Sequence, residues 1–196
     1  MEILRNLDIT IFDALHSLVG RAAFWDVVLK IVAVYLIYLI PIILIIVWFW
    51  AGNRSKEIAL TATFSGLFAW FGVCYTIGAF YFRARPFVGY VGSQMGTQEL
   101  VFHRPDRSFP SDHSAFLFAL AFSFWFCGYK KLGWLIFLIA IIISFARVAT
   151  GLHWPSDVGA GLLIGFFVAS IFWLLRKPMG KYIYNPIINF AKKFKL

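Results

Sequence analysis

Three ionisable residues near the boundary between two apolar segments are the first candidates for chemistry in this chain. Arg147, His153 and Asp157 lie in the stretch SFARVATGLHWPSD, which joins the apolar run 132–143 to a second apolar run. A charge at the centre of a bilayer costs about 2.5 to 3.5 kcal/mol on insertion scales, so charged residues in membrane segments usually line a cavity and act on something polar. The ordinary alternative is a helix end with interfacial Arg and His anchors. The cluster predicts a polar site where two membrane helices meet water.

Composition places the chain among integral membrane proteins. Its 196 residues are 61% hydrophobic and 14% charged, with a mean hydropathy of +0.81, whereas about a quarter of residues are charged in an average soluble domain. Apolar runs of about 20 residues, the length that crosses a bilayer, recur along the chain. The formal charge of +9 is better explained by membrane topology than by nucleic-acid binding, because no basic cluster lies beside a base-stacking surface. We therefore expect a lipid bilayer, and no nucleic acid, as a partner.

The apolar runs predict an all-α fold with one transmembrane bundle over residues 25–175. Five membrane helices are expected, at 26–50, 57–80, 113–128, 132–149 and 155–175. Pro41 lies inside the first of them and is expected to kink it. Gly159, Gly161 and Gly165 in the fifth are small residues that allow another helix to approach closely.

Both ends of the chain show amphipathic helical patterns outside this bundle. In residues 1–24, apolar residues recur at helical spacing from Leu4 to Leu18, with Asp8 and other polar residues between them. We expect this helix to lie at the membrane interface, and a sixth spanning helix is the alternative. Residues 176–196 combine an apolar stripe with lysines, which predicts a second interfacial helix against anionic lipid.

Alternation of five helices brings the polar motif residues to one face of the bundle. That face is predicted to contain Arg83, Arg85, Ser111, His113, Arg147, His153 and Asp157. The opposite face is predicted to contain ten cations, namely Arg54, Lys56, Lys130, Lys131, Arg176, Lys177, Lys181, Lys192, Lys193 and Lys195. Because cytoplasmic loops of membrane proteins carry an excess of Lys and Arg, we expect the motif residues, the N-terminus and the loop 89–107 outside, and the C-terminus inside.

The side chains of these residues are of the types that bind phosphate and transfer phosphoryl groups. Arginine forks match phosphate oxygens in pairs, and several of them neutralise the charge that develops on a transferring phosphoryl group. A histidine serves either as a nucleophile or as a general acid for the leaving oxygen, and two histidines allow both roles. Asp157, one helical turn after His153, can hold the imidazole in one tautomer. A phosphate-bearing lipid is therefore the expected ligand.

Three other interpretations of the polar cluster compete with phosphate chemistry. His113, His153 and Asp157 could form a three-ligand zinc site, but the surrounding arginines argue against a divalent metal, so we expect no metal and no other cofactor. An anion transporter would explain the arginines, although not the paired histidines and the aspartate. A purely structural membrane scaffold leaves the whole cluster unexplained.

At these positions the chain resembles a known family. Arg85-Pro86, the run PSDH at 110–113, and Arg147 with five residues to His153 and three more to Asp157 resemble the three-part signature of the type 2 phosphatidic acid phosphatase superfamily. The resemblance covers roughly residues 26–175. It implies a metal-independent phosphatase in a transmembrane helical bundle. By that resemblance the nucleophile is His153, its partner is Asp157, the general acid is His113, and the phosphate ligands are Arg85, Ser111 and Arg147.

The chain departs from that signature at three positions. The family usually has Lys seven residues before the Arg of Arg-Pro, where this sequence has Gly78; the nearby Arg83 is our candidate for the missing phosphate-binding cation. Asp112 replaces the usual Gly, and FPSDH is similar to bacterial undecaprenyl-diphosphate phosphatases of the superfamily. Ala146 replaces a Ser before Arg147, which removes at most one hydroxyl hydrogen bond.

The resemblance and the outward site together imply a substrate and a location. We expect a multi-pass protein of the bacterial cytoplasmic membrane that hydrolyses undecaprenyl diphosphate on the extracytoplasmic side, as cell-wall polymer synthesis requires. Phosphatidylglycerophosphate, phosphatidic acid and lipid A phosphates are the alternative substrates. His153 is paired with Asp157 at helical spacing, whereas His113 has only the adjacent Asp112, whose side-chain direction the sequence leaves open. His153 is therefore expected to carry the phosphoryl group, and His113 to protonate the leaving group.

Overall fold

The computed structural model describes residues 2–50, 52–90 and 107–194. The centre of the predicted polar loop 89–107 lies outside these ranges. The helices are α1 Glu2–His16, α2 Ala23–Trp50, α3 Asn53–Phe80, α4 Pro86–Gly89, α5 Asp112–Phe126, α6 Lys130–Ala149, α7 Pro155–Leu174 and α8 at 176–193. Their bounds lie within about four residues of the predicted membrane segments.

Four of the described helices, α2, α3, α6 and α7, are long and apolar enough to cross a membrane. The described residues contain no strand, only an isolated bridge between Ala84 and Arg107. The predicted all-α membrane fold is confirmed. The total number of crossings stays a prediction, because α5 has 15 residues and is roughly 22 Å long at 1.5 Å per residue.

The short helix α5 forms the centre of the bundle. It packs against α3, α6 and α7, and its side chains Leu117, Phe118, Leu120 and Phe124 are almost fully buried. A helix that is apolar on all sides must be surrounded by other helices or by lipid. Here its neighbours in the protein surround it, so residues at its N-terminus are held in a fixed position.

Two glycines of α7 let its backbone approach α5 closely. A Cβ at Gly161 would lie 2.7 Å from the Ser111 carbonyl oxygen, and one at Gly165 would lie 2.7 Å from the Ala119 backbone nitrogen. The predicted close packing is therefore confirmed at these two positions. It is wrong at Gly159, where a Cβ would meet nothing within 4 Å.

Two of the long helices contain wide, π-helical turns. In α2 a π-helical turn at Ile31–Tyr35 and a 3₁₀ turn at Leu36–Tyr38 precede Pro41, as expected where a proline removes one helical hydrogen bond. In α3 the π-helical segment is Phe68–Cys74. Such turns are frequent at functional sites, and this one contributes residues to the cavity described below.

The N-terminal helix α1 packs against α6 and α7. Its apolar residues Ile3 and Leu4 are exposed on the protein surface, while Asp8, Phe12 and His16 are buried. The helix therefore presents apolar residues at the surface, and the side that faces the protein combines the Phe12 ring with the polar Asp8 and His16. Asp8, predicted only as part of an interfacial pattern, therefore belongs to the interior.

Candidate active site

All seven predicted site residues come to one end of the bundle, where α5 and α7 begin and α6 ends. These residues are Arg83, Arg85, Ser111, His113, Arg147, His153 and Asp157. A backbone hydrogen bond from Ser111 N to the Asp157 carbonyl, 3.1 Å long, joins the beginnings of α5 and α7. The opposite end gathers basic residues, since Arg176, Lys177 and Lys181 line a cleft of about 360 Å³ together with Glu57.

His153 lies in the turn between α6 and α7, with 1% of its surface exposed. Its Nδ1 lies 2.8 Å from the Ser108 carbonyl oxygen. A carbonyl only accepts hydrogen bonds, so Nδ1 carries the proton and Nε2 keeps its lone pair. Arg147 Nη2 at 3.2 Å and Arg85 Nη1 at 3.4 Å approach Nε2. The reactive nitrogen therefore lies between two guanidinium groups.

The protonation state of His153 suits a nucleophile. Burial, opposed by Asp157 and reinforced by the charges of Arg147 and Arg85, lowers the pKa of the imidazole to about 4. The ring is therefore neutral at pH 7, and its lone pair is available for attack.

Asp157 lies beside His153 and has two closer hydrogen-bond partners. Its Oδ2 accepts a hydrogen bond of 2.8 Å from Trp154 N and lies 3.8 Å from His153 Nδ1, which is too far for a hydrogen bond. Its Oδ1 accepts from Arg83 at 2.7 Å. The backbone carbonyl of Ser108 is thus the closer acceptor for the ring, and the role of Asp157 in fixing the tautomer stays a prediction. Asp157, in the first turn of α7, completes a capping box with the Trp154 backbone N–H and so holds the turn that carries His153.

His113, in the first turn of α5, does have a carboxylate partner. Asp112 Oδ1 lies 2.9 Å from His113 Nδ1 and also accepts from the His113 backbone nitrogen at 2.8 Å. The imidazole lies against Trp70, with ring centroids 5.1 Å apart. The direction of the Asp112 side chain, which the sequence left open, is therefore toward His113. With Nδ1 engaged, Nε2 is the ring nitrogen left for a substrate.

Ser111 is the N-cap of α5 and is fully buried. Its hydroxyl lies 2.9 Å from the Ser114 hydroxyl, which in turn lies 2.9 Å from the Ser144 hydroxyl on α6. This chain of hydroxyl groups ties the beginning of α5 to the end of α6. Helix N-termini present backbone N–H groups and a partial positive charge, which favours anions.

Arg83, predicted as a phosphate ligand, contacts carboxylates. Its Nη2 lies 2.6 Å from Asp8 Oδ2, and its Nη1 lies 2.7 Å from both Asp157 Oδ1 and the Ser156 hydroxyl. These partners engage both terminal nitrogens, Nη1 and Nη2, of the Arg83 guanidinium. The contacts therefore favour a positioning role for Arg83 over a direct phosphate contact.

Asp8 of α1 completes this network, and the sequence reasoning missed it. It accepts from the Ser156 backbone nitrogen at 2.8 Å and from the Ser156 hydroxyl at 2.6 Å, in addition to Arg83. Phe12, one turn later, packs on the Trp154 ring. The available signal was one acidic residue inside an amphipathic pattern, which is usual for an exposed helix face.

Two cavities open at this end of the bundle and share Arg85. The smaller, about 100 Å³, is lined by polar residues Arg85, Arg107, Asp112 and His153 and by the ring of Trp70. The larger, about 840 Å³, is a mostly apolar groove. Its lining includes Leu4, Ile9, Tyr81, Phe109 and Trp154. A small polar cavity beside a long apolar groove can hold a phosphate group and the apolar chain attached to it.

Among the described residues, no group of three His, Cys, Asp or Glu side chains is placed to hold a metal ion. The alternative zinc set of His113, His153 and Asp157 is not assembled there. Metal-independent chemistry stays an expectation.

A buried histidine between two arginines at the end of a bundle of membrane helices is an arrangement suited to phosphoryl transfer. The sequence profile described as the PAP2 superfamily matches residues 56–180. The chain belongs to this superfamily. It is a membrane lipid phosphatase, in agreement with the family resemblance of its motifs.

Named relatives span almost the whole chain. Undecaprenyl-diphosphatase BcrC of Bacillus subtilis (strain 168) is 28% identical, over 91% of this chain and 92% of that protein. YbjG of Escherichia coli (strain K12), named as a candidate undecaprenyl-diphosphatase, is 32% identical, over 94% of this chain and 90% of that protein. The crystal structure of Aquifex aeolicus LpxE has the same fold, with a TM-score of 0.64 and 23% identity, over 85% of this chain and 94% of that one.

Proposed function

We propose that this protein hydrolyses undecaprenyl diphosphate to undecaprenyl phosphate and inorganic phosphate through a phosphohistidine intermediate. The observation that carries the proposal is the position of His153 Nε2, within 3.4 Å of both Arg85 and Arg147. The names of the two relatives that span the chain support this substrate. Phosphatidylglycerophosphate, phosphatidic acid and lipid A phosphates are the alternatives.

In the first step, His153 Nε2 attacks the terminal phosphorus of the lipid diphosphate. A P–N bond forms, the bond from that phosphorus to the bridging oxygen breaks, and the electron pair leaves with undecaprenyl phosphate. His113 gives its Nε2 proton to this leaving group. The carboxylate of Asp112, 2.9 Å from His113 Nδ1, stabilises the protonated ring before transfer.

In the second step, water attacks the phosphorus of the phosphohistidine. His113 takes the proton from the water, the P–N bond breaks, and inorganic phosphate leaves His153 neutral. Arg85 and Arg147 stabilise the charge that develops on the phosphoryl oxygens in both steps. Ser111, at the beginning of α5, is the further phosphate ligand, and no metal ion is needed.

The remaining contacts support this assignment as positioning elements. Arg83 and Asp157 hold the turn that carries His153. Asp8 accepts hydrogen bonds from the Arg83 guanidinium and from Ser156, and so holds this pair in place. The apolar groove beside Arg85 is suited to the first isoprene units of the substrate. In this proposal residues 25–175 form the phosphatase domain, with the flanking segments 1–24 and 176–196 at the membrane interface.

The proposed orientation places the active site on the extracytoplasmic side of a bacterial cytoplasmic membrane. The basic cleft at the opposite end supports it, because Arg176, Lys177 and Lys181 belong on the cytoplasmic side by the positive-inside rule. Labelling in intact cells tests it with Ser93→Cys and Lys193→Cys, each in a background without Cys74 and Cys127. An impermeant reagent should label only the first. Labelling of the second alone would reverse the orientation.

The function itself is tested by phosphate release from purified protein in detergent. Undecaprenyl diphosphate, phosphatidylglycerophosphate and phosphatidic acid are compared, with and without excess chelator, and His153→Ala serves as the inactive control. We expect the diphosphate to have the highest kcat/KM and the chelator to have no effect. A higher kcat/KM for phosphatidic acid would make that lipid the substrate in place of undecaprenyl diphosphate. Absence of hydrolysis for all three would favour the anion transporter, which needs a sealed membrane.

A further inference from the structure

A glycine of α3 makes room for an arginine from the segment before α5. If Gly78 carried a Cβ, that atom would lie 2.7 Å from Arg107 Cζ and would overlap Nε and Cδ of the same side chain. The Arg107 side chain therefore passes directly over Gly78. Any larger residue at position 78 would displace it.

Three contacts hold Arg107 in this place. Its guanidinium carbon lies 4.9 Å from the centre of the Tyr75 ring, in range for a cation–π contact. Its backbone pairs with Ala84 in an isolated bridge, and Ser108 N donates to the Arg83 carbonyl at 2.8 Å. The segment that carries the guanidinium is thus fixed to the chain that enters the site.

The same segment orients the histidine between the arginines. Ser108, the next residue after Arg107, provides the carbonyl that holds His153 Nδ1. Arg107 also lines the 100 Å³ cavity together with Arg85 and His153. Arg107 is therefore next in the chain to the residue that holds His153, and it lines the same cavity as that ring.

The electrostatic setting distinguishes Arg107 from Arg83. Within residues 2–50, 52–90 and 107–194, Arg83 forms ion pairs with two carboxylates, whereas no carboxylate lies within ion-pair distance of Arg107. Asp112 also lines the cavity, but one of its oxygens is engaged by His113. A guanidinium that faces a cavity without its own counter-ion is suited to a substrate anion.

We propose that Arg107 binds the second phosphate group of a lipid diphosphate, while Arg85 and Arg147 bind the group that is transferred. Gly78 is the residue that makes this possible, because its missing side chain leaves the space for the guanidinium. The inference rests on the proposed function and deepens it, since it assigns a residue to recognition of a diphosphate over a monophosphate.

The test measures competitive inhibition of aryl phosphate hydrolysis by inorganic diphosphate and by inorganic phosphate. For Arg107→Gln we expect the inhibition constant for diphosphate to rise about tenfold to a hundredfold, the range for losing a hydrogen bond to a charged group, and that for phosphate to rise less than about threefold. Arg54→Gln, an equal loss of charge at the other end of α3, should change neither. Equal inhibition constants for wild type and Arg107→Gln would overturn the proposal.

Gly78→Ala, which leaves Arg107 in place, keeps the test decisive if Arg107→Gln folds poorly, and a double variant tests recovery. Gly78→Ala favours the helix and displaces the guanidinium, so it should weaken diphosphate binding in the same direction. Gly78→Lys combined with Arg107→Gln returns a cation to the same space and should recover most of the loss. If Gly78→Ala binds diphosphate as tightly as wild type and the double variant recovers nothing, Arg107 has no role in binding. Because these measurements use inorganic anions, their result does not depend on which lipid is the best substrate in the phosphate-release comparison.

Discussion

The two histidines differ in the groups that neighbour their ring nitrogens. At His153, Nδ1 faces a backbone carbonyl and Nε2 faces two guanidinium groups. At His113, Nδ1 faces the carboxylate of Asp112, and the ring lies on Trp70. A neutral acceptor with cations nearby favours a neutral ring, whereas a carboxylate offsets part of the cost of protonating a buried ring. The first setting suits a nucleophile, and the second suits a general acid.

The contrast teaches that a neighbouring carboxylate does not identify the nucleophile here. The sequence spacing indicated a carboxylate partner for His153 and left the direction of Asp112 open, and the structure places the closer carboxylate at His113. What separates the two rings is the position of the arginines. The assignment of His153 as nucleophile stays a prediction, and it now depends on Arg85 and Arg147.

The largest expected effect comes from removing the ring between the arginines. His153→Ala should abolish turnover and leave no phosphoenzyme, because no other nucleophile replaces Nε2. Rapid-quench labelling with radioactive substrate measures both. Acid-labile label on His153→Ala, together with none on His113→Ala, would exchange the two roles.

A smaller effect is expected at the other ring. His113→Ala should slow turnover of the lipid diphosphate by about 10² to 10⁴, the usual contribution of a general acid. Phosphorylation of His153 by an aryl phosphate should persist, since that leaving group needs little protonation. The same rapid-quench experiment with both substrates checks this. An equal loss with both substrates would argue against a role in leaving-group protonation.

Asp112→Asn tests whether the carboxylate makes His113 an acid. We expect turnover of the lipid diphosphate to fall about tenfold to a hundredfold, less than on removing the ring, because an amide no longer favours the protonated imidazole. Hydrolysis of an aryl phosphate should change little. The ratio of kcat values for the two substrates is the readout, and an unchanged ratio would mean that Asp112 only accepts the His113 backbone N–H in the first turn of α5.

The smallest change is spectroscopic. Folding lowers the pKa of His153 from 6.5 to about 4, so the ring should stay neutral from pH 7 down to about pH 4 and gain a proton only below that. NMR of protein with labelled histidine rings measures the titration, with His153→Gln to assign the resonance. A midpoint near 6.5 would show that the surroundings do not favour the neutral ring.

The sequence predicted the helices because four of the five apolar runs have about the length of a bilayer crossing and the shorter fifth lies between clear polar boundaries. It predicted the site residues because their types and order match one chemistry. It did not predict the partner of His153 Nδ1, since any residue provides a backbone carbonyl. It also missed the position of Arg107, which depends on an absent side chain at Gly78, a residue distant in the chain. Only packing in three dimensions decides such contacts.

The link between Asp8 and Ser156 joins positions 148 residues apart. During synthesis, the first helix of this sequence therefore has to wait until α7 has emerged before its carboxylate meets its partners. Closing so long a segment costs conformational entropy that only the finished contacts offset. The turn that carries His153 is thus fixed late in biogenesis, after nearly all of the bundle has been inserted.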